Sequence, residues 1–241
     1  MIELKGVSKS YNKGAVKAVD NLDLSVKPGE IFGFLGPNGA GKTTTIKMMV
    51  GLLKQDSGTI KINGYDIDND PIKLKKSISY VPDNPELYEK LSGYEYLNFL
   101  ADVYGVSAKA RKEGMSRFLD LFELSKAAGD LIQSYSHGMR QKIVLIGALL
   151  HEPDVFILDE PLVGLDPKSA HNLKEFMREH CDQGKTVFFS THVLEVAEKL
   201  CDRIGIIRRG ELVACGTMAE LKVQAQNTGS LENIFLELTE A

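Results

Sequence analysis

Residues 31–44 read IFGFLGPNGAGKTT, and they are the most informative part of this 241-residue chain. The run from Ile31 to Leu35 is apolar throughout and is bounded by Pro28-Gly29 and Gly36. A short apolar run between turn residues is typical of a buried strand. The segment from Lys42 to Leu53 favours a helix. The stretch therefore predicts a buried strand that leads through a glycine-rich loop into a helix.

The loop fits the pattern G-x-x-x-x-G-K-[S/T], which binds nucleotide phosphates. Glycines let successive N–H groups point at phosphate oxygens, and the helix that follows adds its positive dipole end. We expect Lys42 to reach the β- and γ-phosphates of ATP and the Thr43 hydroxyl to ligate Mg²⁺. The alternative is a plain turn with a surface lysine. The predicted ATP-binding residues here are Gly36, Pro37, Asn38, Gly39, Ala40, Gly41, Lys42, Thr43 and Thr44.

A second apolar run, Val155 to Leu158, ends in the carboxylates Asp159 and Glu160. Ligands of parallel sheets bind at the carboxyl ends of strands, so we expect this pair to share one edge with the phosphate loop. Asp159 would hold Mg²⁺, and Glu160 would accept a proton from the attacking water. Alone, such a pair is more often a solvated loop. The phosphate loop favours the catalytic interpretation.

Another candidate site residue follows a third apolar run, Thr186 to Phe189, in the triplet Ser190-Thr191-His192. The position at a strand end predicts that the imidazole of His192 approaches the γ-phosphate. The alternative is that this histidine only caps a helix or fills the core.

The apolar runs at the carboxyl half of the chain alternate with helical patterns. Ile204 to Ile207 forms a further run, and the segments Lys168 to His180 and Val193 to Leu200 have helical character. Strands alternating with helices predict a parallel sheet that is covered on both faces.

The amino-terminal strands have a different pattern. Ile2 to Val7, Leu22 to Val26 and Thr59 to Ile62 alternate apolar with polar residues, and Asn63-Gly64 is a hairpin turn signal. These segments predict half-buried strands of a second, solvated sheet.

Between the two halves, roughly residues 90 to 140 read as helices. Ser92-Gly93-Tyr94-Glu95 has the form of a capping box. Further along the chain, a stripe of apolar residues follows at helical spacing. We interpret this stripe as the core of an inserted helical subdomain. Its members are Met115, Phe118, Leu119 and Phe122.

Composition excludes several functional classes. A formal charge of −4 gives no support for nucleic acid as a partner. Cys181, Cys201 and Cys215 are widely spaced, which suggests neither disulfides nor a thiolate metal site. The longest apolar run, Ile143 to Leu150, is far shorter than the ~20 residues that span a bilayer, and the amino terminus lacks a signal peptide pattern. We therefore expect a cytoplasmic protein whose membrane role, if any, passes through a partner.

The segment Tyr135-Ser136-His137-Gly138-Met139-Arg140-Gln141-Lys142 precedes a helix and then the strand of the acidic pair. Here the chain resembles the ATP-binding subunits of ATP-binding cassette (ABC) transporters, whose signature is Leu-Ser-Gly-Gly-Gln. The signature is matched at Ser136 and Gly138. Taken alone, Ser-x-Gly is also a plain helix start.

The resemblance covers nearly the whole chain and implies a fold. It is an α/β P-loop NTPase of RecA-like type, with a parallel-sheet core, an antiparallel β subdomain and an inserted helical subdomain. We expect one domain over residues 1–241, with the core at about 1–85 and 143–241 and the helical subdomain at about 86–142.

The resemblance also implies roles for single residues. Tyr11 would stack on adenine, although it could simply fill the small sheet. Asp166, in Gly164-Leu165-Asp166, would line the partner's site, and His192 matches the family's switch histidine. Asp83 stands where the family usually has glutamine. An ionised carboxylate can ligate Mg²⁺ but cannot donate a hydrogen bond, so we expect a metal or coupling role there.

In this family each ATP is held between the phosphate loop of one subunit and the signature of another. The resemblance thus implies a second ATP-binding subunit and separate transmembrane permease subunits, with the protein peripheral on the cytoplasmic face of the membrane. Asp83 and the Met-Arg-Gln ending of the signature resemble exporter-type systems. Two alternatives remain: a soluble ATP-switched scaffold of the same fold, and a small-molecule kinase.

Overall fold

The structure, a computed structural model, describes residues 1–225 and 229–240. The described elements form two β-sheets with helices packed around them. In chain order they are β1 (Ile2–Tyr11), β2 (Val16–Val26), β3 (Ile31–Leu35), α1 (Lys42–Met49), β4 (Ser57–Ile62), β5 (Tyr65–Asp66), α2 (Pro71–Ser77), β6 (Ile78–Val81), α3 (Gly93–Val103), α4 (Ala108–Leu121), α5 (His137–Leu149), β7 (Val155–Asp159), α6 (Pro167–Asp182), β8 (Thr186–Thr191), α7 (Leu194–Leu200), β9 (Arg203–Arg208), β10 (Glu211–Gly216), α8 (Met218–Gln224) and α9 (Leu231–Glu240).

The larger sheet confirms the predicted parallel core. Its order is β10-β9-β3-β8-β7-β6, and the pairs that involve β3, β6, β7 and β8 are parallel. Every residue of β3, β7 and β8 is buried, as continuous apolar strands covered on both faces require. The antiparallel edge strand β10 was not predicted, because its half-exposed residues do not form a continuous apolar run.

The smaller sheet confirms the predicted antiparallel subdomain. It has the order β2-β1-β4-β5, and the turn at Asn63-Gly64 joins β4 to β5. Strand β2 begins at Val16 rather than at the predicted Leu22, because its pairing with β1 continues as far as Tyr11 and Val16. Those first positions are exposed, so no apolar alternation marks them.

The helical insertion begins with the predicted capping box. Ser92 Oγ accepts from the N–H of Glu95 at 3.3 Å, and Glu95 accepts from the N–H of Ser92 at 2.7 Å. The predicted apolar stripe at α4 is buried, but it packs in one cluster with Phe156 and Leu158 of the larger sheet. It is therefore part of the main core and not a separate core of the insertion.

The predicted boundary near residue 142 falls inside α5, which runs from His137 to Leu149 without a break. The boundary stays a prediction.

Helix α1 ends at Met49 rather than at the predicted Leu53. Gly51 adopts a φ of 71°, a left-handed conformation that commonly ends helices. Within residues 1–225 and 229–240, every helix is too short or too polar to cross a bilayer.

Candidate active site

The carboxyl ends of β3 and β7 open into one cleft of about 220 Å³. Both strands are parallel members of the same sheet, so the loop after β3 and the acidic pair after β7 emerge at the same edge. The lining residues come from the loop, the tips of β6 and β7, and the small sheet. They are Ala18, Pro37, Asn38, Gly39, Ala40, Gly41, Lys42, Thr43, Thr44, Asp83, Asp159 and Glu160.

At two positions of the phosphate loop, the neighbouring backbone lies so close that glycine alone fits. Gly41 adopts a φ of 113°, and a Cβ there would lie 2.4 Å from the carbonyl oxygen of Ala18. A Cβ at Gly36 would lie 2.4 Å from the carbonyl oxygen of Ile207. The loop thus lies directly against the neighbouring backbone, and glycine is the residue that permits so close an approach.

We expect Gly41→Ala to weaken ATP binding by tenfold or more, because the positive φ and the clash with Ala18 would force the loop to shift. Backbone strain of this kind costs on the order of 1–3 kcal/mol. Gly39→Ala is the matched control, since Gly39 also has a positive φ, 79°, but a Cβ there would meet nothing within 4 Å. Titration with a fluorescent ATP analogue should show the smaller loss for Gly39→Ala. Equal affinities would contradict the prediction.

Lys42 is the first residue of α1 and is buried at the base of the loop. Its Nζ donates to the carbonyl oxygens of Gly36 at 2.7 Å and Pro37 at 3.4 Å. Burial lowers the pKa of this ammonium group, and the charges of Glu160 and Asp159 oppose that shift. A desolvated cation directed along the loop is suited to binding phosphate.

The acidic pair is held at the tip of β7. Asp159 is 1% exposed, and its Oδ1 accepts from the Ser190 hydroxyl at 2.5 Å. Glu160 adopts a left-handed φ of 50°, and its N–H donates to both the carbonyl oxygen and the hydroxyl of Ser190 at 3.2 Å. A left-handed non-glycine residue is strained, and such residues concentrate at functional sites.

His192 does not line the cleft itself but contacts Glu160, which does. Its Nδ1 lies 2.9 Å from Glu160 Oε2, while the ring itself is largely exposed. This contact fixes the orientation of the Glu160 carboxylate and links the end of β8 to the tip of β7.

Asp83 follows β6 and lines the same cleft. Burial, followed by the charges of Asp159 and Asp83, raises the pKa of the neighbouring Tyr80 phenol, which therefore stays protonated. Across residues 1–225 and 229–240, no three His, Cys, Asp or Glu side chains form a group that could hold a metal ion by themselves.

The residues that the resemblance assigns to adenine or to the partner's site lie outside this cleft. Tyr11, Ser136, Gly138 and Asp166 are absent from the lining of the cleft formed by the described residues. Ser136 and Asp166 are exposed, and so is Tyr11, which ends β1. Within one chain, the structure therefore brings together the phosphate loop, Asp83, Asp159 and Glu160, with His192 one contact away.

The signature segment contacts the loop after β7. Ser136 caps α5 by accepting from the N–H of Met139 at 3.3 Å. A Cβ at Gly138 would lie 2.8 Å from the carbonyl oxygen of Gly164, and one at Gly164 would lie 2.6 Å from the His137 ring. The signature and the Gly164 segment thus form one packed surface.

Asp166 has a local role that the sequence did not reveal. It caps α6 by accepting from the Ser169 N–H at 2.9 Å, and it forms an ion pair with Lys142 at 2.6 Å. The Lys142 ammonium, followed by the hydrogen bonds from Ser169, holds the pKa of the Asp166 carboxyl well below its ordinary value.

Two residues of the site were not predicted. Ala18 lines the cleft because β2 passes beside the loop, and no sequence signal marks it. Ser190 contacts both acids of the pair, and its place immediately before Thr191-His192 at a strand end was the available signal.

Comparison with known proteins agrees with this geometry. A family model described as ABC transporter matches residues 19–163. The chain is 40% identical over 221 residues to the linearmycin resistance ATP-binding protein LnrL of Bacillus subtilis (strain 168). The matched region covers 92% of this chain and 70% of LnrL. A solved structure described as an ATP binding subunit of an ABC transporter is 35% identical, with a TM-score of 0.94 and coverage of 99% of both chains.

A second solved structure is a dimeric post-hydrolysis state of the ATP-binding cassette MJ0796 bound to ADP and Pi. It is 27% identical, with a TM-score of 0.81, and the match covers 90% of this chain and 99% of that one. The family match contains both the phosphate loop and the acidic pair, which are the two parts of the cleft described above. This protein therefore belongs to the ABC transporter family and is an ATP-binding ATPase subunit of that family.

Proposed function

We propose that this chain hydrolyses MgATP to power a membrane transporter, through ATP-driven head-to-tail dimerisation with a second ATP-binding subunit. The observation that carries the proposal is the single cleft in which Lys42, Asp159 and Glu160 face the phosphate loop. Phosphoryl transfer depends mainly on positioning and charge stabilisation, and this arrangement supplies both.

The residues of the cleft fit Mg²⁺. The Thr43 hydroxyl and the carboxylates of Asp83 and Asp159 are oxygen donors, which Mg²⁺ prefers. Among the described residues that line the cleft, the charged groups are three carboxylates and one ammonium. A triphosphate would meet like charges there unless a cation lay between them. When bound, Mg²⁺ would neutralise charge on the phosphates.

Glu160 is proposed as the general base. Its carboxylate is largely buried and is fixed by His192 at 2.9 Å, so it is positioned to take a proton from the attacking water. His192 holds that carboxylate and is itself proposed to approach the γ-phosphate. Hydrolysis would then yield ADP and phosphate.

The second half of each ATP site would come from another subunit. Ser136 and Gly138 lie at the amino end of α5, where the helix dipole and free N–H groups suit a γ-phosphate. Asp166 lies in the surface that packs against this segment. Tyr11, which is exposed at the end of β1, would stack on adenine. The exposure of these groups supports a composite site between two subunits.

Sedimentation velocity tests the dimer directly. Glu160→Gln protein, which keeps the loop but lacks the base, should convert from monomer to dimer when MgATP is added. The doubly substituted Lys42→Ala, Glu160→Gln protein is the control and should remain monomeric, because it lacks the phosphate-binding ammonium. A Glu160→Gln protein that stays monomeric at saturating MgATP would count against the proposal.

An exposed aromatic pair on the helical insertion supports a permease partner. Tyr88 and Phe99 are 60% and 43% exposed, and their rings meet edge to face at 5.4 Å. Tyr94 on the same helix as Phe99 is also exposed. Aromatic side chains at the surface are typical of protein interfaces. The proposed partner is a transmembrane permease, which would hold this subunit on the cytoplasmic face of the membrane.

The transport direction is proposed from similarity. LnrL is named for linearmycin resistance, and this similarity supports an exporter-type system. Copurification from detergent-solubilised membranes should recover an integral membrane protein with the wild type and much less with Phe99→Ala. Tyr65→Ala is the control, since Tyr65 is an exposed tyrosine on the small sheet. A protein that brings down no integral subunit would favour the soluble scaffold.

A further inference from the structure

A buried serine at the end of β8 contacts both members of the acidic pair. Ser190 has 0% exposure, and its hydroxyl donates to Asp159 Oδ1 at 2.5 Å. The same oxygen accepts from the N–H of Glu160 at 3.2 Å. A hydroxyl has one donor and two acceptor lone pairs, so both contacts can exist together. No role assigned above uses this hydroxyl.

The position of Ser190 in the sheet explains these contacts. Strand β8 lies between β3, which leads to the phosphate loop, and β7, which carries the acids. Ser190 is paired in register with Phe34 on one side and with Asp159 on the other. It therefore lies at the sheet edge between the end of β3, which leads to the phosphate loop, and the end of β7, which carries the acidic pair.

Glu160 needs support because its φ of 50° is left-handed. Its N–H is held by the carbonyl oxygen and the hydroxyl of Ser190, and its carboxylate is held by His192. Both partners lie at the end of β8 or directly after it. Without such contacts, a non-glycine residue favours other backbone conformations.

We propose that Ser190 is a positioning residue for ATP hydrolysis: its hydroxyl aims the Asp159 carboxylate at the metal and holds Glu160 in its left-handed conformation. This inference rests on the MgATP site proposed above. The hydroxyl acts through the two acids and does not itself touch the nucleotide.

Substitution can separate the hydroxyl from the backbone. Ser190→Ala keeps the carbonyl oxygen that accepts from Glu160 and removes only the side-chain contacts. Ser190→Thr keeps the hydroxyl. Ser79→Ala is the matched control, because Ser79 is a serine of 3% exposure on β6 of the same sheet, paired with Phe156 and outside the cleft lining. Ser190→Cys, of similar size and with a weak donor, replaces the alanine variant if that variant does not fold.

Two measurements test the proposal. Mn²⁺ binding in the presence of a nonhydrolysable ATP analogue is followed by electron paramagnetic resonance, and kcat for MgATP is measured separately. Ser190→Ala should weaken Mn²⁺ binding and lower kcat by roughly tenfold or more each, the usual effect of removing a hydrogen-bond partner of a metal ligand. Affinity for the analogue without a divalent ion should be unchanged. Ser190→Thr should restore most of both losses, and Ser79→Ala should resemble the wild type.

Wild-type values of Mn²⁺ affinity and kcat in Ser190→Ala would overturn the proposal. Equal losses in the alanine and threonine variants would also overturn it, because the effect would then follow packing and not the hydroxyl. A wild-type protein that shows no nucleotide-dependent Mn²⁺ binding would instead overturn the proposed MgATP site, and the inference with it. The two failures are therefore distinguishable.

Discussion

Replacing Glu160 with glutamine is expected to lower kcat for ATP hydrolysis by roughly 10²- to 10⁴-fold, the contribution typical of a general base. Glutamine has nearly the same shape, and its side-chain oxygen can still contact His192, but it cannot take a proton from water. We expect glutamine to keep the left-handed backbone conformation that Glu160 adopts. ATP affinity should therefore remain within a few fold, and the loss should appear in kcat in a coupled phosphate-release assay.

Glu152→Gln is a control for this substitution. Glu152 also adopts a φ of 50° and is exposed, but it lies after α5 and outside the cleft lining. Its glutamine variant should hydrolyse ATP at the wild-type rate. Turnover by Glu160→Gln above a tenth of the wild-type value would contradict the assignment of Glu160 as the base.

The parts of the site that are local in sequence could be predicted. The glycines and the lysine of the loop pattern stand close together in sequence, and the acidic pair directly follows an apolar run. Each feature can therefore be recognised within about ten residues. Their meeting at one edge follows from a general rule for parallel sheets. The larger sheet confirms that rule in the order of β3, β8 and β7.

Features that depend on neighbours in space could not be predicted. Ala18 lines the cleft only because β2 passes within 2.4 Å of where a Cβ of Gly41 would lie. The cap of α6 by Asp166, its ion pair with Lys142, and the contacts of Ser190 depend on register between distant segments. The edge strand β10 was missed because exposed edges do not need continuous apolar residues.

Lys42→Ala is expected to weaken ATP binding by roughly a hundredfold, because charge-assisted hydrogen bonds to a buried partner contribute about 1.5–3 kcal/mol each. Among the described residues that line the cleft, Lys42 is the one cation, and three carboxylates face the same space. Without the ammonium, the charged side chains in the described lining would be the three carboxylates alone. Isothermal titration calorimetry with MgATP measures the loss directly.

Lys47→Ala is the matched control, since Lys47 is an exposed lysine in the last turn of the same helix. It removes an equal charge from α1 without touching the cleft, so its ATP affinity should be close to that of the wild type. Similar losses in both variants would mean that net charge, and not contact with phosphate, accounts for the effect.

The pH dependence of binding provides a second readout for Lys42. Burial lowers the pKa of its ammonium, and phosphate binds the charged form. As pH rises through the lowered pKa, the free protein loses that charge sooner than an ordinary lysine would, and ATP affinity should fall. Lys42→Ala should lack this alkaline decline, whereas Lys47→Ala should retain it. An identical decline in all three proteins would assign it to another group.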